Sequence, residues 1–181
     1  MAKSIITLVG NPRARSRTHQ AALQATQSIA DRIENAVLGE TIDLAALAPE
    51  LPAASSAVVE SALDLVTAAD VLVAASPTYK GTYTGLLKTF LDRLPGHALT
   101  ATIAVPLLVM GDAKHALAVE THFRPLLVEL GAHVPTPGIV LLESQLPGAE
   151  QLLNAWADRA APQIAALLTA PARTPAPAPE G

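Results

Sequence analysis

Cysteine is absent from the 181-residue chain. Its absence excludes disulfide staples, thiolate nucleophiles and metal centres built on sulfur, and it suits a reducing compartment. Aromatic residues are scarce at 3%, and charged residues amount to 15%. A core built under those limits must come from Ala, Val, Leu and Ile. Basic charge is also short, with 12 Lys and Arg against 16 Asp and Glu and a net charge of -4. Without a basic surplus the surface cannot neutralise a nucleic-acid backbone, which argues against DNA or RNA as a partner. Long apolar runs are missing as well. Nothing approaches the roughly 18 residues of a membrane span. The first apolar run, Ile5 to Val9, is too short for a secretion signal and leads straight into Gly10-Asn11-Pro12. A cytoplasmic protein without membrane contact is expected.

What is present is a chain whose residues are half hydrophobic. That is enough to bury one domain-sized core and rules out disorder. Strand and helix patterns alternate along it. The runs Ile5–Val9, Val71–Ala75, Thr102–Val109 and Ile139–Leu142 are continuous and apolar, as strands buried on both faces are. A weaker strand is expected at Thr41–Leu44. Helical spacing predicts helices over Thr18–Asn35, Val58–Ala69, Thr82–Leu94, Ala113–Leu130 and Ala149–Leu168, with Ala45–Ala57 a loop. Pro106 sits awkwardly inside the fourth strand. Residues 1–169 form the domain, and the Pro/Ala-rich stretch 170–181 reads as a mobile tail.

Strand–helix alternation implies right-handed crossovers and a parallel sheet covered on both faces. Five strands fit an α/β three-layer sandwich of flavodoxin-like order 2-1-3-4-5. Ligands of such sheets sit beyond the carboxyl ends of the strands, where the order reverses between strands 1 and 3. The loops after Val9, Ala75 and Val109 therefore carry the expected site.

The first loop reads Gly10-Asn11-Pro12-Arg13-Ala14-Arg15-Ser16-Arg17-Thr18. A helix N-terminus, two hydroxyls and three arginines together make a cradle for a phosphate monoester. Neither the dinucleotide pattern G-x-G-x-x-G nor a P-loop G-K-[ST] is present. The same residues also serve an ordinary strand–helix turn, with Ser16 or Thr18 as the cap. The second loop, Ser76-Pro77-Thr78-Tyr79-Lys80-Gly81-Thr82-Tyr83-Thr84-Gly85, holds both tyrosines and two glycines. Its glycines admit a flat ligand to the backbone, and Tyr79 can pack on a ring face.

The segments GNPRARSRT and SPTYKGTYTGLLKTFLD resemble the NADPH-dependent FMN reductase family. Within it, they are most similar to the reductases of two-component alkanesulfonate and methanesulfonate monooxygenase systems. The similarity extends from Lys3 to Leu168 in the order of elements. It implies an NAD(P)H-dependent flavin reductase with FMN and NADPH (or NADH) as its nucleotides and a flavin-dependent monooxygenase as partner. By position, it sets Asn11, Arg13, Ser16 and Thr18 around the FMN phosphate. It sets Pro77, Thr78, Tyr79, Lys80 and Gly81 along the isoalloxazine, and Gly111 and Asp112 near the ring or the nicotinamide. Asn11 stands where the relatives have serine, and its amide retains a donor. The sulfonate-system relatives carry a π-bulge at a subunit interface in the helix after strand 4. The matching segment here is Val119-Glu120-Thr121-His122-Phe123-Arg124-Pro125. His122 reads there equally as an interface residue or as an ordinary surface histidine.

Hydride transfer between nicotinamide and flavin needs alignment rather than an acid or base, so no catalytic proton donor is assigned. His19, His97, His115 and His133 lack metal-ligand spacing, and no metal is expected. Other readings share the phosphate loop. One is a quinone, azo or chromate reductase with tightly bound FMN. Another is a flavodoxin-type electron carrier, which the arginines and modest net charge disfavour. A non-flavin regulator is the last. Apolar faces at Leu86, Leu87, Phe90 and Leu91, and at Leu117, Phe123, Leu126 and Leu127, are expected to serve core and interface in a homodimer or homotetramer.

Overall fold

Strand β3 (Val71–Pro77) is buried along its whole length, and its neighbours in sequence decide which layer each residue enters. Val71, Val73 and Ala75 point into one apolar layer, while Leu72 and Ala74 point into the other. The two-residue period of a strand makes this division automatic. The computed structural model describes residues 1–169. Around β3 it places β1 (Lys3–Val9), α1 (Arg17–Ala30), β2 (Ala36–Asp43), α2 (Leu44–Leu47), α3 (Ala57–Thr67), α4 (Gly85–Leu91) and β4 (Ile103–Met110). The chain continues with α5 (Arg124–Glu129), β5 (Ile139–Leu142) and α6 (Ala149–Thr169). The sheet order is β2-β1-β3-β4-β5 and every pairing is parallel, as the alternation implied. Helices α1 and α6 cover one face, and α3, α4 and the α5 segment cover the other. The tail expected at 170–181 lies outside the described residues.

Several local expectations shift. The first helix stops at Ala30, five residues short of Asn35, which takes a left-handed turn at φ 60°. Strand β2 runs from Ala36, at the early limit of the start expected somewhere after Ala36, and its first half is largely exposed. An edge strand with few buried neighbours carries little apolar signal. Leu44, expected to close that strand, opens α2 instead, so the segment expected as loop contains one short helix. Helix α4 starts at Gly85 because Thr84 caps it, its hydroxyl accepting the Leu87 N–H at 3.1 Å.

Pro106 is accommodated in β4 by geometry. Ile103 donates its N–H to Asp70 and Ala104 donates to His133, so even-numbered residues of β4 face the β5 side. Pro106 faces that side too, one residue before β5 begins opposite Leu107. Its missing donor falls where no ladder bond is required.

The expected single helix 113–130 is broken. A short 3-10 turn occupies Ala113–His115, and a π-helical turn spans Val119–Phe123. The Arg124 N–H reaches back five residues to the Val119 carbonyl. Pro125, without an N–H, follows in the first turn of α5. This is where the family resemblance set a π-bulge. Glu120 and Arg124 pair at 2.5 Å, and Glu120 accepts the Gly138 N–H at 2.7 Å. Arg124 donates to the Val134 and Thr136 carbonyls, both at 2.6 Å. One ion pair thus anchors the π turn to the segment that leads into β5. The Arg124 guanidinium, aided by the Gly138 N–H, holds the Glu120 carboxyl below its usual 4.5. A carboxyl with a lowered folded-state pKa stabilises above its unfolded value and loses that contribution as pH falls through the folded one. Glu120→Gln is expected to cost about 1 kcal/mol near neutral pH. The gap to the native protein should close as pH falls below 4.5, as urea unfolding at several pH values would register.

Candidate functional site

Three loops leave the carboxyl ends of β1, β3 and β4, and hydrogen bonds join them. Gly10 donates its N–H to the Ala75 carbonyl at 2.7 Å. The Gly10 carbonyl accepts the buried Thr84 hydroxyl at 2.5 Å. Thr84 N–H in turn donates to the Ser76 hydroxyl at 3.0 Å. The second and third loops meet where Thr78 N–H donates to the Val109 carbonyl at 2.8 Å. A Cβ placed on Gly10 would lie 2.5 Å from the Leu87 Cβ. Glycine is therefore required there for α4 to approach the strand end.

The first loop is held from within. Asn11 is buried; its amide donates to the Thr18 hydroxyl at 3.1 Å, and its carbonyl accepts the Arg13 N–H at 2.9 Å. This Asx-type turn wraps the loop around one side chain. Ser16 caps α1, accepting the His19 N–H at 3.1 Å. Of the three arginines, Arg17 pairs with Glu143 at 2.9 Å, whereas Arg13 and Arg15 are exposed and enter no ion pair among the described residues.

In the second loop Tyr79 and Thr82 bond reciprocally through their backbones, at 2.9 and 3.4 Å. Lys80 and Gly81 lie between them at φ 54° and 89°, the two left-handed positions of a type I′ turn. Pro77 is buried as the last residue of β3, and Tyr79 is 44% exposed. The hydroxyl oxygens of Thr78 and Thr82 are buried and have no hydrogen-bond partner among the described residues, as is also true of Thr102 and Thr136 outside these loops. In the third loop Gly111 faces open space, and a Cβ on Gly81 would lie 3.9 Å from the His115 ring. Asp112 caps the 3-10 turn through the Lys114 N–H at 2.9 Å and pairs with the Lys114 ammonium at 2.9 Å. Those two contacts, the backbone one foremost, hold its carboxyl below the usual 3.8.

All the residues expected at the site therefore lie on or directly beside three joined loops at one end of the sheet, with Thr18 in the first turn of α1 and Pro77 at the end of β3. Two residues that matter here carried no motif of their own. Thr84 is visible as a helix cap only once the helix start is placed at Gly85, and Asp43 only once β2 is seen to end in a capped turn. Asp43 accepts the His19 ring nitrogen at 3.0 Å, the Arg15 N–H at 3.2 Å and the Ala45 N–H at 3.1 Å. The expected interface face divides as well. Leu87, Phe90, Leu91, Phe123 and Leu127 are fully buried in the protomer, Leu86 and Leu126 are half-buried, and Leu117 is exposed at 72%.

The family model for NADPH-dependent FMN reductase matches residues 4–146, most of the chain. This protein belongs to the NADPH-dependent FMN reductase family. A Pseudomonas putida protein described as FMN reductase (NADPH) is 32% identical over 182 residues, covering 98% of this chain and 92% of the relative. The FMN reductase (NADPH) of Escherichia coli is 33% identical across 78% of this chain and 74% of its own. Among solved structures, an apo NADH:FMN oxidoreductase superposes with a TM-score of 0.79 at 33% identity, covering 87% of this chain and 88% of that one. The chain is thus a flavodoxin-like oxidoreductase, an NAD(P)H-dependent FMN reductase, as the two loop segments implied. No helix among the described residues is long and apolar enough to cross a membrane.

The contact between Gly10 and α4 yields a prediction. Gly10→Ala should destabilise the protein by about 1–3 kcal/mol, because the new methyl meets a Cβ that cannot rotate away. A drop in Tm of about 3–10 °C in thermal unfolding is the expected outcome.

Proposed function

We propose that this reductase holds FMN across the three loops and passes the reduced flavin to a partner oxygenase. The phosphate is assigned to Asn11, Arg13, Ser16 and Thr18, and the ring to Pro77, Thr78, Tyr79, Lys80 and Gly81. Gly111 and Asp112 border the space left for the nicotinamide. The observation that carries this reading is the pair of buried, unpartnered hydroxyls of Thr78 and Thr82. An unpaired buried polar group costs about 1–3 kcal/mol, so a loop that satisfies its backbone yet leaves two hydroxyls open suits a ligand with polar edges. FMN offers such an edge at its ring and a phosphate for Arg13 and Arg15.

When bound, FMN supplies the acceptor for the hydride that NAD(P)H carries. The chain's own part is orientation. The Lys80–Gly81 turn fixes the backbone beside the ring, and Tyr79 offers an aromatic face. Arg13 and Arg15 add fixed charge to the amide-rich N-terminus of α1. The Asp112 carboxyl, held below its usual 3.8 by Lys114, is not positioned as a proton donor near neutral pH. Rate enhancement then rests on alignment and exclusion of water.

Delivery to a flavin-dependent monooxygenase rests on the sulfonate-system resemblance. It is supported by Pseudomonas putida relatives described as NADH-dependent FMN reductases SfnF and SfnE, 28% and 34% identical. A homodimer or homotetramer in the cytoplasm completes the proposal. Exposed Leu117 and His122 beside the π turn supply the surface for a second copy.

The test begins with an FMN titration, followed by anaerobic NADPH and absorbance at the flavin band. Rapid bleaching, with reduced FMN lost on gel filtration, is the expected result. Retention of the flavin would instead favour the quinone-reductase reading, and an absence of bleaching would favour a carrier. Arg13→Ala and Arg15→Ala should each weaken FMN binding about tenfold while leaving riboflavin, which lacks the phosphate, unchanged. Flavin fluorescence quenching reads both affinities. A monomer mass by light scattering at micromolar concentration would refute the oligomer.

A further inference from the structure

Arg15 is strained where the proposed phosphate cradle needs it. It sits at φ 51°, a left-handed conformation that a residue with a Cβ adopts only when its surroundings hold it there. What holds it comes from outside the loop. Asp43, the last residue of β2, accepts the Arg15 N–H at 3.2 Å through one carboxylate oxygen. The same oxygen accepts from His19 Nδ1 at 3.0 Å, and the other accepts the Ala45 N–H at 3.1 Å. A carboxylate can only accept, so His19 carries its proton on Nδ1. Three elements thereby converge on one half-buried side chain: the first loop, the first turn of α1 and the start of α2.

We infer that Asp43 is a positioning residue for flavin phosphate recognition, acting through Arg15 and His19. The carboxylate makes no claim on the ligand. It fixes the left-handed residue that sets the direction of the loop between Arg13 and Ser16, and it locks α1 against rotation through the ring of its third residue. Without it, Arg15 relaxes toward an ordinary backbone conformation, and the amides and arginines of the cradle no longer converge. The effect falls on the phosphate end of the flavin, because none of the groups Asp43 bonds belongs to the Pro77–Gly81 loop.

The inference rests on the first loop being the phosphate site, and the experiment separates the two. FMN and riboflavin affinities are measured for the native protein and for Asp43→Ala and Asp43→Asn, with steady-state kinetics alongside. Asp43→Ala is expected to weaken FMN about tenfold and to leave riboflavin within about twofold. KM for FMN should rise while kcat at saturating FMN holds. Asp43→Asn keeps one acceptor oxygen and should fall between native and Ala. Should Asp43→Ala fail to fold, His19→Ala replaces it. That variant keeps both backbone bonds to Asp43 and should weaken FMN about threefold, again selectively. Equal losses for FMN and riboflavin, or no loss of either, would overturn the inference. A native protein that binds FMN no better than riboflavin would instead overturn the phosphate-loop reading beneath it.

Discussion

The buried hydrogen bond from the Thr84 hydroxyl to the Gly10 carbonyl is the constraint on which the site end of this reductase depends. It ties the last turn of β1 to the first turn of α4, two segments far apart in the chain and adjacent only because β1 and β3 pair. The bond forms because Gly10 has no side chain and lets α4 close on the strand end. The same Thr84 oxygen caps α4, and its N–H is held by Ser76. One threonine thus satisfies a carbonyl that the sheet leaves open, starts a helix and fixes the second loop against the first. Position is transmitted by directional bonds rather than by bulk packing, which suits a catalyst whose chemistry is alignment.

Around that junction the loops saturate themselves. Asn11, Thr18, Ser16 and the Tyr79–Thr82 pair all spend their backbone or side-chain bonding capacity inside the protein. What is left over around it, among the described residues, is two threonine hydroxyls in the second loop and two arginines without an ion pair in the first. These leftover groups have a defined polarity, with neutral donors and acceptors in the second loop and positive charge in the first.

Much of this was written in the sequence. Continuous apolar runs marked β1, β3, β4 and β5, because strands buried on both faces cannot alternate. Their alternation with helices gave the order of the sheet and hence the three loops. The site residues followed from loop position and from the resemblance of two segments. The structure added features that depend on tertiary partners. Strand β2 lies at an edge, so its exposed residues carry little apolar signal. The helix expected over 113–130 reads as continuous because periodicity does not register one added residue per turn. Asp43 had no motif, since its importance lies in donors brought to it from Arg15 and His19. Arg17, counted with the cradle, is drawn away by Glu143, a partner 126 positions distant.

Pro106 has an effect beyond its own strand. Because it offers no donor on the β5 side, pairing along that side of β4 is interrupted between Ala104, which bonds His133, and Leu107, where the four-residue β5 begins. That strand is one margin of the sheet, and a margin of four residues is a poor template for another chain to pair with. A proline that looked misplaced in the sequence thus sits beside a short edge that templates poorly, at the side of the sheet remote from β2.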